Sequence, residues 1–329
     1  MKLNQQFFWF ISLLAGIIFA QEIKIATLAP EGSLWGSCLD NIKKEVWFES
    51  KEKIRIRIFY GGKMGDEDVM VKKIKINAVQ GGAFTGNGLG AITQEVRVLE
   101  CPRLFRSYDE VDYVQEKISS ELDREFMKNG FKLVGLIDTG FAYFFSKQNI
   151  KSLNDVRAGK MWMWQGDMLA YEIMNTLEIK ARALNFIDVI SSMQTGLIDG
   201  FYTTPMACIS LQWFIEARYM LDMPISSVSG ALVIAKTAWE KLPPADQKLL
   251  SDSSRKYLRA LVLENRKKDA ESLSLLKQNK ITINKSADSA AELDALGRKV
   301  KTVLEGKLFT KEISARLDSL LAEFRSRKK

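Results

Sequence analysis

The segment from Pro244 to about Gln278 places the strongest constraint on the fold. It opens with Pro243, Pro244 and Asp246, which suit the first turn of a helix because proline lacks the amide proton that this turn leaves unbonded. Apolar residues then recur at helical spacing, and neither glycine nor proline interrupts the run. The pattern predicts one helix about 50 Å long at 1.5 Å per residue, which exceeds what a small domain normally buries.

The middle of this helix indicates its use. The stretch from Asn265 to Asp269 is polar on every face, whereas the flanking stretches carry leucines on one side. A helix that is polar all round at mid-length is typical of a strut that crosses solvent between two lobes. Two ordinary helices with a break between them are the alternative. We expect a two-lobed protein with one helix bracing both lobes.

Composition limits the function classes. The 329 residues suit two domains, and an apolar content of 47% is sufficient for two cores. The net charge of +8 is spread along the chain without a concentrated basic face, so we expect no nucleic-acid partner. The chain has no histidine, which removes the commonest general base and the commonest transition-metal ligand.

Neither a metal nor a cofactor is expected. Cys38, Cys101 and Cys208 lie far apart without metal-binding spacing, and we expect three buried thiols, with one disulfide plus one free thiol as the alternative. A glycine cluster at residues 86, 88 and 90 follows a strand, but no Lys-Ser/Thr pair comes after it. A turn is therefore favoured over a phosphate-binding loop.

The N-terminus has the layout of a secretory signal peptide over residues 1–20. Lys2 precedes an apolar run from Phe7 to Phe19, and Ala20 is a small residue before a cleavage point at Gln21. The run is shorter than the ~20 residues of a spanning helix, and an uncleaved anchor is the alternative. We expect an exported, periplasmic protein.

The order of strands and helices predicts an α/β fold. Strands are predicted at Glu22–Leu28, Ile54–Phe59 and Gly82–Phe84, with helices between them, and this β-α-β-α-β order requires a parallel sheet. A second α/β unit begins near Ala142. We expect residues 21–141 plus 230–265 to form lobe I and residues 142–229 plus 266–329 to form lobe II. Several crossings between the lobes predict a hinge of multiple strands.

Five stretches, taken in order, resemble one family. They are Ala26–Trp35, Tyr60–Asp66, Glu100–Tyr108, Leu153–Gly166 and Gln194–Gly200. Together they span nearly all of the chain after the signal, and they are similar to the extracytoplasmic solute receptors of tripartite ATP-independent periplasmic (TRAP) transporters. The resemblance implies a periplasmic binding protein-like clamshell that closes on a small solute and delivers it to the TRAP membrane subunits without catalysis.

Two departures from that family concern the charge of the cleft. In most of these receptors, an arginine on the strand corresponding to residues 159–164 pairs with the carboxylate of the solute, and here that position is Met163. A second arginine often follows the pair that resembles Gly140-Phe141, and here that position is Ala142. A buried carboxylate without a cationic partner costs several kcal/mol. We therefore expect a hydrophobic or aromatic solute, with a cationic solute held by cation–π contact as the second option.

Candidate cleft residues lie at strand ends and loops on the facing edges of the lobes. Because side chains alternate along a strand, at least one of Trp162 and Met163 should face the cleft. The full set is Leu28, Trp35, Phe84, Thr85, Phe141, Tyr143, Trp162, Met163, Trp164, Tyr202, Thr203, Thr204 and Trp213.

Two functions from other classes compete with a receptor. An enzyme that uses carboxylate acid–base chemistry would need two converging acids, and Asp66 and Asp199 are the most obvious pair. Helix capping and loop bracing explain these two aspartates more simply. A periplasmic carrier or sensor that acts with a helical-repeat (TPR-type) partner, as known in some relatives, would need an exposed apolar patch.

Overall fold

Two α/β lobes, each built on one β-sheet, make up the protein in a computed structural model that describes residues 21–327. The signal peptide expected over residues 1–20 lies outside the described residues. Within residues 21–327, no helix has both the length and the apolar character needed to cross a bilayer. Cys38, Cys101 and Cys208 are buried as free thiols, in agreement with the expectation from their spacing.

The elements alternate between strands and helices, as expected for an α/β protein. The strands are β1 (Gln21–Thr27), β2 (Ile54–Phe59), β3 (Gly81–Thr85), β4 (Phe131–Phe141), β5 (Tyr143–Ser146), β6 (Met161–Trp164), β7 (Ala181–Leu184), β8 (Gly200–Thr203), β9 (Tyr219–Asp222), β10 (Ser227–Ala235) and β11 (Thr282–Lys285). The helices are α1 (Leu34–Glu49), α2 (Glu67–Lys75), α3 (Gly86–Gly90), α4 (Tyr108–Lys128), α5 (Leu153–Ala158), α6 (Met168–Thr176), α7 (Val189–Gln194), α8 (Pro205–Ser210), α9 (Lys236–Trp239), α10 (Pro244–Gln278), α11 (Ala290–Leu304) and α12 (Lys311–Arg327). Three 3₁₀ helices add Gln94–Glu100, Phe186–Asp188 and Trp213–Ile215.

The sheet of lobe I has the strand order β2-β1-β3-β10-β4. Strand β1 runs parallel to β2 and β3, whereas β10 runs antiparallel to β3 and β4. The parallel part arises from the β-α-β-α-β opening predicted from the sequence. The sheet of lobe II has the order β11-β9-β5-β8-β6-β7, with β6 parallel to both β7 and β8.

Two strand connections cross between the lobes side by side. Ala142 alone separates β4 from β5, and a short link joins β9 to β10. The Ala142 amide donates to the Ser226 carbonyl (2.9 Å), and the Ile225 amide donates to the Ala142 carbonyl (2.8 Å). These bonds tie the two crossings together, so the hinge consists of more than one strand.

Helix α10 is continuous over 35 residues and confirms the predicted brace. It packs on β4 and α1 in lobe I and on α8 in lobe II. Its polar centre does not cross solvent, and that expectation was wrong. Asn265 is buried, and the Arg266 guanidinium donates to Asp112 on α4 and to Asp138 on β4. The centre of α10 therefore packs on lobe I, where Asn265 is buried and Arg266 has charged partners, although Lys267 is exposed.

The two C-terminal helices, α11 and α12, pack on different lobes. Helix α11 packs on α6 of lobe II, whereas α12 packs on α4 of lobe I. Arg325 of α12 donates from Nε to Glu110 of α4 at 2.7 Å, and the Tyr113 and Phe324 rings lie 5.2 Å apart. The expected assignment of residues 266–329 to lobe II therefore does not describe α12, since its contacts are with lobe I.

Candidate functional site

A cavity of about 210 Å³ lies between the two lobes. The carboxyl ends of β1 and β3 border it from lobe I, and the ends of β6 and β8 border it from lobe II. Ligands commonly bind outside the carboxyl ends of parallel strands, because the chain leaves the sheet there in loops and helix N-termini. Helices α6, α8 and α10 complete the walls.

Most of the candidate residues from the sequence surround this cavity. Those that line it are Leu28, Trp35, Thr85, Trp162, Trp164, Tyr202, Thr203, Thr204 and Trp213. They come from both lobes and from positions as far apart in the chain as Leu28 and Trp213. The topology therefore brings together side chains that no local pattern connects.

Met163 does not line the cavity, although its place in the sequence predicts contact with the solute. Trp162 and Trp164 border the cavity, and Met163 lies half-buried between them in the sequence. Because successive side chains of a strand point to opposite faces, Met163 belongs to the other face of β6. Of the pair considered from the sequence, Trp162 is the residue that faces the cleft.

Three further candidates also lie away from the cavity, and the same alternation explains them. Phe84 is fully buried in the core of lobe I, on the face of β3 opposite Ala83 and Thr85. Phe141 packs on the Tyr108 ring, with the centroids 5.2 Å apart. Phe141 and Tyr143 flank the cavity-lining Ala142, so their side chains occupy the other face.

An aromatic cluster forms the wall contributed by lobe II. The Trp162 ring is its centre, with centroid distances of 5.6 Å to Trp164, 6.4 Å to Phe186, 5.1 Å to Tyr202 and 5.7 Å to Trp213. Stacked and edge-on contacts of this kind stabilise one another beyond the apolar area that they bury. We refer to these five residues as the aromatic cluster. It gives the cavity a rigid, apolar and polarisable wall.

An arginine that was not among the candidates from the sequence lines the cavity. Arg97 lies in the 3₁₀ helix of lobe I, and its guanidinium pairs with Glu100 at 2.6 Å and with Asp167 at 2.7 Å. All three side chains are at least 93% buried. The cleft therefore contains a guanidinium even though neither Met163 nor Ala142 is an arginine. This corrects the expectation that the cleft lacks one.

The charge of Arg97 is already balanced by protein carboxylates. Burial favours the neutral guanidine, yet the neighbouring charges of Asp167 and Glu100 outweigh it and raise the pKa of Arg97. Burial also raises the pKa of Glu100. Asp167 caps α6, so the ion pair with Arg97 joins lobe II to lobe I. Both terminal nitrogens of the guanidinium are therefore already paired with carboxylates of the protein.

Glu67 is a second buried acid at the cavity. Its carboxyl oxygens accept from the Thr85 amide (2.7 Å), the Thr85 hydroxyl (2.8 Å) and the Gly88 amide (2.7 Å). Burial raises the pKa of Glu67 to about 8. The glycine cluster makes this packing possible, because a Cβ at Gly88 would lie 2.9 Å from Glu67 and a Cβ at Gly86 would overlap the Glu100 carboxyl. Here the glycines accommodate carboxyls, not phosphate.

The raised pKa of Glu67 makes stability depend on pH. Between the ordinary value of 4.5 and about 8, the folded protein retains a proton that the unfolded chain releases. Stability should therefore fall as pH rises through this window, by at most about 1.4 kcal/mol per pH unit for one group. Urea unfolding at pH 5, 6.5 and 8 should show a shallower fall in Glu67→Gln than in the parent protein. Glu271→Gln, at an exposed position on α10, is the control, and equal slopes for all three proteins would contradict the prediction.

Contacts across the mouth of the cavity hold the lobes together. Asp66 caps α2, and its oxygens also accept from the Phe186 amide (2.8 Å) and from Trp164 Nε1 (3.1 Å) in lobe II. Asp199 instead accepts from the Lys160 amide and braces a loop. Asp66 and Asp199 therefore have separate structural tasks and do not converge as an acid pair.

Sequence reasoning missed several residues at the cavity. These are Glu67, Arg97, Glu100, Asp167, Phe186 and Asn265. One signal was available for two of them: Arg97 and Glu100 are three residues apart within an otherwise apolar run from Val96 to Cys101. Charges in such a run usually mark a paired, buried site. No comparable signal distinguishes Asn265 from its polar neighbours on α10.

Comparison with known proteins gives a consistent result. The family model for DctP, described as bacterial extracellular solute-binding protein, family 7, matches residues 25–307. A solute-binding protein from Verminephrobacter eiseniae is 26% identical over 283 residues, which cover 84% of this chain and 82% of that protein.

Solved structures resemble the whole clamshell. A TRAP periplasmic solute-binding protein from Xanthobacter autotrophicus, with bound β-D-galacturonate, has a TM-score of 0.85 at 17% identity and covers 91% of this chain and 99% of its own. One from Desulfovibrio salexigens, with bound orotic acid, has a TM-score of 0.84 at 17% identity, with coverages of 93% and 99%. The chain therefore belongs to the DctP family of bacterial extracellular solute-binding proteins, and as a member of that family it is a solute receptor, not an enzyme.

Proposed function

We propose that this receptor binds a small solute with a hydrophobic or aromatic body in the cavity between its lobes and delivers it to the membrane subunits of a TRAP transporter. The observation that carries the proposal is the pairing of Arg97 with two buried carboxylates of the protein itself. The guanidinium that could have bound an acidic solute is occupied.

The rest of the wall is predominantly apolar. The aromatic cluster covers one side, and α6 adds Leu169, Ala170, Ile173 and Met174. Burial of an apolar solute surface contributes ~25 cal/mol per Å², and thioether and ring faces add dispersion and polarisation. A volume of about 210 Å³ suits a solute of roughly the size of a substituted single ring.

The acids bound by the two solved relatives do not carry over directly. Galacturonate and orotic acid are both acidic, but each of those proteins shares only 17% of its residues with this chain. An acidic solute here would have to displace Asp167 from Arg97. The displaced Asp167 would then be a buried carboxylate without a cation, at a cost of several kcal/mol.

A thermal-shift experiment tests the solute class. Indole and 2-phenylethanol should raise the melting temperature of the purified receptor in a concentration-dependent way, because a ligand at 100 times its Kd adds about 2.7 kcal/mol to stability. D-galacturonate should leave the melting temperature unchanged. Mass spectrometry of any small molecule that co-purifies with the receptor would identify the natural solute.

A cavity-filling variant supplies the matched control. Ala207→Phe places a ring among the lining residues and should abolish the response to indole, whereas Ala158→Phe, at an exposed position outside the lining, should retain it. Stabilisation by galacturonate alone would overturn the proposal. The TPR-type partner suggested by the family resemblance stays a prediction.

A further inference from the structure

The charged part of the cavity wall contains more carboxyl groups than cations. Among the lining residues that the structure describes, the carboxyl groups belong to Glu67, Glu100 and Asp167, and Arg97 is the one cation. Glu67 is protonated near neutral pH because its pKa is raised to about 8. Glu100 and Asp167 share Arg97 as their cationic partner, so two carboxyl groups of this wall face one guanidinium. We refer to these four residues as the acidic wall.

Burial makes this excess significant. Each of the four side chains is at least nine-tenths buried, so neither water nor salt screens the charge as it would at a surface. A net charge in such a place is unfavourable unless a counter-charge accompanies it. The protein places no second cation among the lining residues that the structure describes. Apart from Arg97 and the amides at the start of α6, which donate to Asp167, positive charge at this wall would have to come from the solute.

An independent observation shows that the cavity is built for a polar group. Asn265 of α10 is 7% exposed and borders the cavity. Within residues 21–327, no hydrogen bond reaches its side-chain amide, although Arg266 beside it has two carboxylate partners. An amide that borders the cavity and has no protein partner is available to hydrogen-bond a ligand there. Asn265 thus indicates a hydrogen-bonding group on the solute.

We propose that the solute carries a protonated amine on its apolar body, with the ammonium group facing the acidic wall and Asn265 hydrogen-bonding the solute. This inference rests on the proposed function above and adds the sign of the solute's charge. An ammonium group would neutralise the excess of the acidic wall. The aromatic cluster favours it further, since ring faces attract cations over ~6 Å. A carboxylate on the solute would instead add a negative charge beside these carboxyl groups.

Three ligands that differ in one group test the sign. Titration calorimetry at pH 7 would compare 2-phenylethylamine, 2-phenylethanol and phenylacetate with the purified receptor. All three share the ring and differ in carrying an ammonium, a hydroxyl or a carboxylate group. We expect the amine to bind at least ten-fold more tightly than the alcohol, and the alcohol to bind more tightly than phenylacetate.

A charge variant tests whether the acidic wall causes the preference for the amine over the alcohol. Asp167→Asn keeps one acceptor, at the Oδ1 position that contacts both Arg97 and the start of α6, but removes one negative charge. It should lower the ratio of amine affinity to alcohol affinity about ten-fold. Asp252→Asn removes the same charge from an exposed site on α10 and should leave that ratio unchanged.

A second variant tests Asn265 without depending on charge. Asn265→Leu has a similar volume and removes the amide that borders the cavity, so it should lower amine affinity at least ten-fold while it changes the melting temperature by less than about 2 °C. A fall in melting temperature with unchanged amine affinity would show that Asn265 is structural and would overturn its assigned role.

The outcomes separate the two proposals. Tightest binding of phenylacetate would show that a solute carboxylate displaces Asp167, and it would overturn the amine inference. Equal or tighter binding of the alcohol would also overturn it but would leave the apolar solute class intact. If none of the three ligands binds and indole gives no thermal shift, both proposals fail.

Discussion

Arg266→Met is expected to lower the free energy of unfolding by about 3–5 kcal/mol, because it removes one partner from a buried ion pair. The guanidinium donates to Asp138 at 2.7 Å and to both oxygens of Asp112, at 2.6 and 2.9 Å. It also lies 4.6 Å from the centroid of the Tyr108 ring. Without Arg266, Asp138, which is 2% exposed, would be left as an isolated buried carboxylate.

Urea unfolding measures this loss, and α10 offers a matched control. Arg259 contacts the same Asp112 at 3.4 Å but is 56% exposed, so Arg259→Met should cost less than about 1 kcal/mol. The loss in Arg266→Met should shrink as pH falls. Burial already raises the pKa of Asp138, and without Arg266 its folded-state pKa rises further, so lower pH protonates the isolated carboxyl.

A double variant isolates the cause. Arg266→Met with Asp138→Asn removes both charges and should recover a large part of the lost stability, because no buried carboxylate remains. Equal losses for Arg266→Met and Arg259→Met would contradict the expectation. Such a result would mean that the hinge end of β4 is solvated more than its burial indicates.

The overall fold could be predicted because its signals are local. The length of α10 follows from an uninterrupted helical pattern that begins at Pro244. The parallel part of lobe I follows from alternating strand and helix segments. The surroundings of the helix centre could not be predicted, since Asp112 and Asp138 lie more than 120 residues before Arg266 in the chain. A polar stretch looks the same in sequence whether water or buried carboxylates surround it.

The site was only partly predictable for a related reason. Alternation along β6 indicated that one of two neighbouring side chains would face the cleft, and register placed Trp162 there. The family resemblance predicts a guanidinium at the positions of Met163 and Ala142, whereas the cavity has one at a third position, Arg97. The partner that neutralises it, Asp167, is 70 residues away and in the other lobe. Charge compensation across a cleft is a tertiary property.

Arg97→Met is the second substitution with a large expected effect, about 3–5 kcal/mol of unfolding free energy. It leaves Glu100 and Asp167, each 7% exposed, without their shared cation. It also removes an ion pair that joins the two lobes. Burial already raises the pKa of Glu100, so lower pH protonates this isolated carboxyl and the loss should be smaller at pH 5 than at pH 8. Arg106→Met, 60% exposed and 3.6 Å from Asp294, is the control and should cost less than about 1 kcal/mol.

The triple variant Arg97→Met, Glu100→Gln, Asp167→Asn separates charge compensation from solute recognition. The side-chain amide oxygens that it introduces can still accept from the backbone amides of Ser229 and Leu169, so the local bonds persist while all three charges disappear. If the guanidinium serves to neutralise these two acids, urea unfolding of the triple variant should recover most of the stability that Arg97→Met loses. A loss below about 1 kcal/mol in Arg97→Met itself would mean that the two acids do not need Arg97. The guanidinium would then be available to an acidic solute, and the proposed solute class would lose its main support.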